Sequence, residues 1–301
     1  MNQRVYDIFW ETAAERQKIF YRKLAGETPL SSDPIFLKFK FCNVYRASDR
    51  VSQFLIKNVI YDGKKRNKRE TLFRIFLFRL LNKIETWEKL GEVNLSSLNE
   101  IDQKLDTFRK EGPIYGNAFI LCANKVFGFE EKHKNHLKLL EEVFVKNKNR
   151  KILNSKSLRE LFLNLRELPL IGDFMAYQLA IDFNYSPIFN FDENDFVMPG
   201  PGAKRGIEKA FGKTKDYEKI IMEMVKNQDK EFGRLGLDFK NLWGRPMKAI
   251  DVQNWWCETD KYCRVKMPEL KSNRSKIKNV YKPSRGKIEY FFPPKWGIIA
   301  S

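Results

Sequence analysis

The chain has 301 residues, 43% of them hydrophobic, enough to bury a sizeable core in one large or two small domains. Lys and Arg number 56 against 38 Asp and Glu, and the resulting net charge of +18 favours a polyanion, either nucleic acid or an anionic membrane surface. No apolar run is long enough for a transmembrane helix, Met1–Ala25 lacks the apolar core of a signal peptide, and four scattered cysteines match no secreted framework, so a reducing cytoplasm is the expected compartment.

Periodicity predicts an all-α protein. Residues 3–25 read as an amphipathic helix with Val5, Ile8, Phe9, Ile19 and Phe20 inward. A turn over Thr28–Pro34 leads into a helical stretch, 35–61, marked by Phe54, Leu55 and Val59. Gly63–Arg69 is a basic loop, and 72–90 is apolar nearly all round, as a central core helix would be. Residues 95–109 form another amphipathic helix. Gly112–Gly116 is a turn followed by a helix through Val126, and 131–147 and 157–167 also look helical. Leu168-Pro169-Leu170-Ile171-Gly172 reads as a tight hairpin feeding a helix over 174–183, which Pro187 prevents from continuing. Gly200–Gly206 is expected as a loop entering a helix. Further helices follow at 214–229 and 249–262, with no convincing strands.

Several clusters carry candidate chemistry. Asp192, Glu193 and Asp195 sit within four residues, so a dry site would raise at least one pKa and suit a base or an electrostatic stabiliser; the plainer reading is a solvated acidic turn. Asn43, Arg46 and Arg50 would share a helical face, Asn43 reading a base edge while an Arg grips phosphate or fills the gap of a flipped base; an ion-pair network with Asp49 is the alternative. Gly200–Gly206 could aim amides, Lys204 and Arg205 at a phosphate. Gly206–Thr214 is a near miss for a P-loop, one residue too long and with no strand before it. In Asp251–Arg264, Asn254, Glu258 and Lys261 could face an active site, or Glu258 and Lys261 could simply pair at i, i+3. His133 and His136 read as a solvated helix face, so no metal or other cofactor is expected. The segment from Lys271 interleaves eight Lys/Arg with Tyr281, Tyr290, Phe291, Phe292 and Trp296, which suits either phosphate pairing with base stacking or a strap packed on the core.

The 168–195 stretch resembles the helix-hairpin-helix DNA glycosylase superfamily, whose pattern L-P-G-[IV]-G is followed by a helix, a Pro and a catalytic Asp. Pro169, Gly172, Ala176 and Pro187 keep the spacing, and Asp192 falls where that family places its acid. Leu170 replaces the first hairpin Gly. Phe174 stands where bifunctional members carry a Schiff-base Lys, so the resemblance implies a monofunctional enzyme. Gly112–Phe119 resembles the segment that sets an aromatic beside the base pocket, making Tyr115 and Asn117 candidates beside Gly172, Tyr177 and Gln178.

Five motifs in order (FKFCNVYRASDRVSQ, GPIYGNAF, IGDFMAYQ, ENDF with GPGAKRGI, and DVQNWWCETDKY) narrow the resemblance to the α-glutamyl/putrescinyl thymine pyrophosphorylase group, which includes the helical domain of 5-hydroxymethyluracil DNA kinases. Kinase members carry a separate P-loop domain that is not recognised here. The resemblance implies a glycosylase-like helical domain over 1–270, a basic tail over 271–301, and a monomer acting on double-stranded DNA with modified bases. The leading expectation is a glycosylase that excises a hydroxymethylated or hypermodified pyrimidine, with Asp192 or Asp195 directing water, as in anti-phage defence. The alternative is a transferase that displaces pyrophosphate from an activated hydroxymethyl base; a non-catalytic reader of modified DNA is the third.

Overall fold

The computed structural model describes residues 1–117, 125–146, 148–270, 274, 276–282 and 289–300. It is all-α. Among the described residues there are 13 α-helices and no strands, only isolated bridges at Phe39–Val280 and Leu242–Arg245. In chain order the helices are α1 (Gln3–Ala25), α2 (Pro34–Lys38), α3 (Arg50–Phe54), α4 (Lys68–Leu81), α5 (Ile84–Leu90), α6 (Leu98–Glu111), α7 (Lys132–Leu140), α8 (Arg150–Leu153), α9 (Leu158–Arg166), α10 (Asp173–Tyr185), α11 (Pro201–Phe211), α12 (Tyr217–Arg234) and α13 (Ala249–Lys266). The helix expected to follow Gly116 lies largely outside the described residues.

The chain divides into two compact units. The first comprises Met1–Asp49, Phe196–Tyr290 and Ile298–Ser301; the second comprises Arg50–Asp195 and Phe291–Gly297. In the first, α1 starts where the Asn2 side chain accepts from the Val5 amide (3.3 Å) and stops at Gly26, whose φ of 71° only glycine adopts without strain. Val5, Phe9, Trp10 and Ala13 of α1 are buried, and α1 packs on α13, with Phe9 and Trp256 ring centres 4.7 Å apart. The Trp255 indole donates to the Phe9 carbonyl at 3.0 Å, so this large ring is buried without an orphaned N–H. Helix α11 lies very close to α13. A Cβ on Gly206 would fall 2.2 Å from the Trp256 carbonyl oxygen, and one on Gly202 would fall 2.2 Å from Cys257 Sγ.

The second unit is built on α4, whose residues from Leu72 to Leu81 are all buried. The 72–90 stretch is therefore two helices rather than one. Asn82, left-handed at φ 48°, ends α4, and its side-chain oxygen accepts from Arg79 Nη1 at 2.7 Å. The Gly116 amide then donates to the Leu81 carbonyl at 2.9 Å, an approach so tight that a Cβ on Gly116 would lie 2.1 Å from the Asn82 oxygen. Helices α9 and α10 pack together around a turn in which Leu170 adopts φ 68° and the Ile171 amide donates to Leu168 O at 3.2 Å. The left-handed geometry that glycine would supply is thus imposed here on leucine.

The expected helix over 35–61 is also broken. Only α2, a 3-10 turn at Arg46–Ser48, α3 and a π-helical turn at Leu55–Ile60 form there. Residues 39–45 are irregular: the Lys40 N–H bonds the Asn279 carbonyl, and side chains of α13 take up backbone groups of Cys42 and Asn43, as described next.

Candidate functional site

Asp251, Asn254, Glu258 and Lys261 recur at intervals of three and four along α13, which places them on one stripe. That stripe holds the 42–46 segment by its backbone. Glu258 Oε2 accepts from the Cys42 amide (3.0 Å), Asn254 Nδ2 donates to the Asn43 carbonyl (3.2 Å), and Asp251 Oδ1 accepts from the Arg46 amide (2.9 Å). Asp251 Oδ2 also accepts from the Lys248 amide (3.0 Å), closing the start of α13. Lys261 pairs with Glu258 at 2.5 Å and sits 4.4 Å from the Phe41 ring centre. The i, i+3 salt bridge considered from the sequence is present.

Within this frame the Asn43 amide is committed to the protein. Its oxygen accepts from Arg16 Nη2, its Nδ2 donates to the Ser48 carbonyl at 2.7 Å, and it also bonds the Tyr290 hydroxyl. The expected helical face of Asn43, Arg46 and Arg50 does not exist, because residues 42–45 are not helical. Asn43 and Arg46 are buried in the first unit, whereas Arg50 is exposed at the start of α3 in the second. Asn43 is consequently a buttress whose amide is engaged, not an open reader of base edges.

The acid beside this buttress is Asp49, whose Oδ1 accepts from the Asn43 backbone N–H at 2.8 Å. Burial raises its pKa to about 6, against the lowering effects of that bond and of Arg16. The same surroundings lower the pKa of Arg16 through burial, lift the Cys42 thiol well above its usual range and push Cys257 up to about 11. Both cysteines are free thiols. The arrangement offers one carboxyl whose proton affinity burial raises, held by the Asn43 backbone N–H and close to the buried Arg16 guanidinium. Such a group can accept and return a proton. Arg16, Asp49 and Cys42 were not picked from the sequence as site residues. Their only signal was proximity in the chain to Asn43, and Arg16 had not even that.

The other expected residues lie elsewhere. Lys204 stacks over the Tyr217 ring at 5.3 Å. Arg205, Lys209 and Arg264 converge on the fully buried Asp260 at 3.2, 3.0 and 2.5 Å. Gly202 and Gly206 lie inside α11, where their missing side chains allow close packing. The Gly-rich stretch is therefore neither a phosphate-cradling loop nor a P-loop.

Asp192, Glu193 and Asp195 belong to the second unit. Asp192 and Asp195 are exposed and Glu193 is buried. Asp192 Oδ1 accepts from the Asn194 amide (3.0 Å), and Asp195 Oδ2 accepts from the Arg159 amide (3.4 Å) at the start of α9, which is the geometry of an acidic turn and a helix cap. Gly172 is exposed at the N-cap of α10, while Tyr177 and Gln178 are buried along that helix. Tyr115 donates to or accepts from His136 Nδ1 at 2.9 Å beneath Lys132, and Asn117 is exposed. His133 and His136, read as a solvated face, are 2% and 3% exposed. Helix α7 turns them inward against α6 and Tyr115, and burial pushes His136 down to about 3.

In the tail, Tyr290 packs on Phe20 (5.1 Å) in the first unit. Trp296 packs on Tyr185 (5.5 Å) in the second, where Lys295 Nζ donates to the carbonyls of Asn184, Ser186 (3.0 Å) and Phe189 (2.6 Å). These aromatic groups serve as packing anchors.

The model of the family described as "5-hmdU DNA kinase, helical domain" matches residues 3–272. The chain belongs to this family. It is also similar to the 5-hmdU DNA kinase of Bacillus phage SP10, with 25% identity over 295 residues covering 86% of this chain and 45% of that protein. The chain thus spans under half the length of this relative. No solved structure shows a significant match.

These comparisons overturn the leading expectation. The family and the relative carry the name of a kinase, a phosphotransferase, so the assignment as a base-excising N-glycosylase, a hydrolase, does not stand, and the defence role attached to it falls with it. The transferase alternative lies nearer to the finding. Among the described residues no helix is long and apolar enough to cross a membrane.

Proposed function

We propose that this chain is the helical, DNA-engaging part of a transferase that acts on 5-hydroxymethyluracil in DNA, and that the Asp49 cluster meets the modified base. Family membership over residues 3–272 supports the substrate class. The observation that carries the site is the raised pKa of Asp49 in the rigid frame of Asn43, Arg16 and α13. In phosphoryl transfer from a nucleoside triphosphate, the hydroxymethyl oxygen attacks the terminal phosphorus, the bridging P–O bond breaks and the nucleoside diphosphate leaves. The hydroxyl proton passes to Asp49, which is poised for this by a pKa close to ambient pH. Base extrusion from the duplex would bring the hydroxymethyl group within reach. We also propose that the α9–α10 turn, with the exposed amide end at Gly172, tracks the DNA backbone in the manner of a helix-hairpin-helix element.

The test is a fluorescence-anisotropy comparison of matched duplexes carrying 5-hydroxymethyluracil or thymine opposite adenine. Tighter binding of the modified duplex, abolished by Asn254→Ala, is expected. Equal affinity for both duplexes would end the base-recognition reading. The affinity for the modified duplex should change with pH through about 6 in the wild type and lose that dependence in Asp49→Asn; the same pH profile in both would remove Asp49 from the site.

A further inference from the structure

A second polar cluster, on α6 and α7, takes no part in the proposed chemistry. Asp102 and Asp106 stand at i, i+4 on α6, so both carboxylates leave the same face. His133, in the first turn of α7, is 2% exposed. Its Nε2 lies 3.3 Å from Asp102 Oδ1 and 3.2 Å from Asp106 Oδ1. All three atoms are shielded from solvent and none makes a well-aligned hydrogen bond, although Arg109 Nε stands 3.0 Å from Asp106 Oδ1. The remaining carboxylate oxygens are fixed by one ammonium: Lys134 Nζ lies 3.2 Å from Asp102 Oδ2 and 2.8 Å from Asp106 Oδ2. Lys134 thereby turns both Oδ1 atoms toward the imidazole. Shielded polar atoms without a well-aligned hydrogen bond are uncommon, and His133 Nε2 and Asp102 Oδ1 gather with Asp106 Oδ1 in one cluster that a shared cation would satisfy.

We propose that Asp102, Asp106 and His133 form a divalent transition-metal site, best suited to zinc, that ties α6 to α7. One imidazole nitrogen and two carboxylate oxygens form a zinc donor set. Bonds of about 2.0–2.2 Å at tetrahedral angles place ligand atoms roughly 3.3 Å apart, which matches the two separations from His133 Nε2, and all three atoms lie within 4.8 Å of one another. Lys134 is the outer contact that orients the carboxylates. Arg109 approaches Asp106 Oδ1 at 3.0 Å and also pairs with Glu131 at 3.2 Å. Its charge and that of Lys134 oppose a further cation, so the affinity falls below that of a closed structural zinc site. The H-x-x-H spacing contributes only its first histidine, because His136 faces Tyr115 instead.

The experiment uses the whole chain, prepared without a polyhistidine tag, stripped with chelator and titrated with Co2+ and then Zn2+ under calorimetric and absorption readouts. One equivalent of Co2+ should bind with the visible bands of a tetrahedral nitrogen–oxygen site, and Zn2+ should displace it. Binding should weaken at least about ten-fold in both His133→Gln and the near-isosteric Asp102→Asn, each checked for intact helicity by circular dichroism. Lack of stoichiometric uptake would overturn the proposal and leave His133 as a hydrogen-bond donor shared by two carboxylates. Uptake that survives both substitutions, or a spectrum dominated by thiolate charge transfer, would overturn it equally by assigning the metal to cysteine.

Discussion

Burial penalises a carboxylate because the charged form loses its hydration, and at Asp49 a single amide bond and the nearby Arg16 only partly offset that loss. The folded-state pKa, about 6, lies above the unfolded value. The native state therefore holds a proton that the unfolded chain has already released. The stabilising contribution is complete below about pH 4 and is lost as pH rises through about 6. Asp49→Asn keeps the acceptor for the Asn43 amide and removes this titration. Denaturant melts at pH 4 and pH 7 should show the variant gaining on the wild type by on the order of 2 kcal/mol across that interval; parallel behaviour would mean that Asp49 titrates normally. A second residue-scale prediction concerns Arg79, which is 1% exposed and paired with the fully buried Asp182 at 2.5 and 3.0 Å. Asp182→Ala strands a buried guanidinium and should cost about 3–5 kcal/mol in urea melts. A loss under about 1 kcal/mol would show that water or another acid takes over.

At the scale of elements, what was legible followed hydrophobic periodicity. Helix α1 is found over Gln3–Ala25 and α13 begins at Ala249, as their apolar spacing predicts. The failures occurred where backbone groups find partners far away in the chain. The 39–45 segment cannot be read as irregular from its own residues, because the acids and amide that hold it come from α13, more than 200 positions later. The Gly200–Gly206 stretch misled for a related reason. Glycines serve anion loops and close helix packing alike, and only the neighbour tells which: here it is the Trp256 backbone. Gly206→Ala should therefore destabilise the protein by about 1–3 kcal/mol through overpacking, without the selective loss of anion binding that a phosphate loop would show. Thermal melts with and without added phosphate separate these outcomes.

For the whole molecule, the charge of +18 carries its own expectation. If Lys and Arg side chains contact DNA phosphates, the logarithm of the binding constant should fall linearly with the logarithm of salt, by roughly 0.9 per phosphate contacted. A duplex affinity unchanged between low and physiological salt would count against DNA as the partner. The candidate site was only half legible at this scale. Asn43, Arg46, Asn254 and Lys261 do gather in the first unit, but as a frame beside Asp49, the acid of the proposed site, which had been read only as an ion-pair partner. Asp192 and Asp195, which family spacing favoured, are exposed acids of the second unit.

The sequence by itself determined the all-α class, the positions of most helices, the polyanion-directed charge and the family, because periodicity, net charge and ordered motifs are properties of the chain that survive without coordinates. Only the tertiary structure decided which polar groups are dry and which partners they share. It buried His133 and His136, raised Asp49 and engaged the Asn43 amide. Burial and partnership depend on atoms brought together from distant parts of the chain, and those are what decide whether an acid is a solvated turn, a proton acceptor or a ligand.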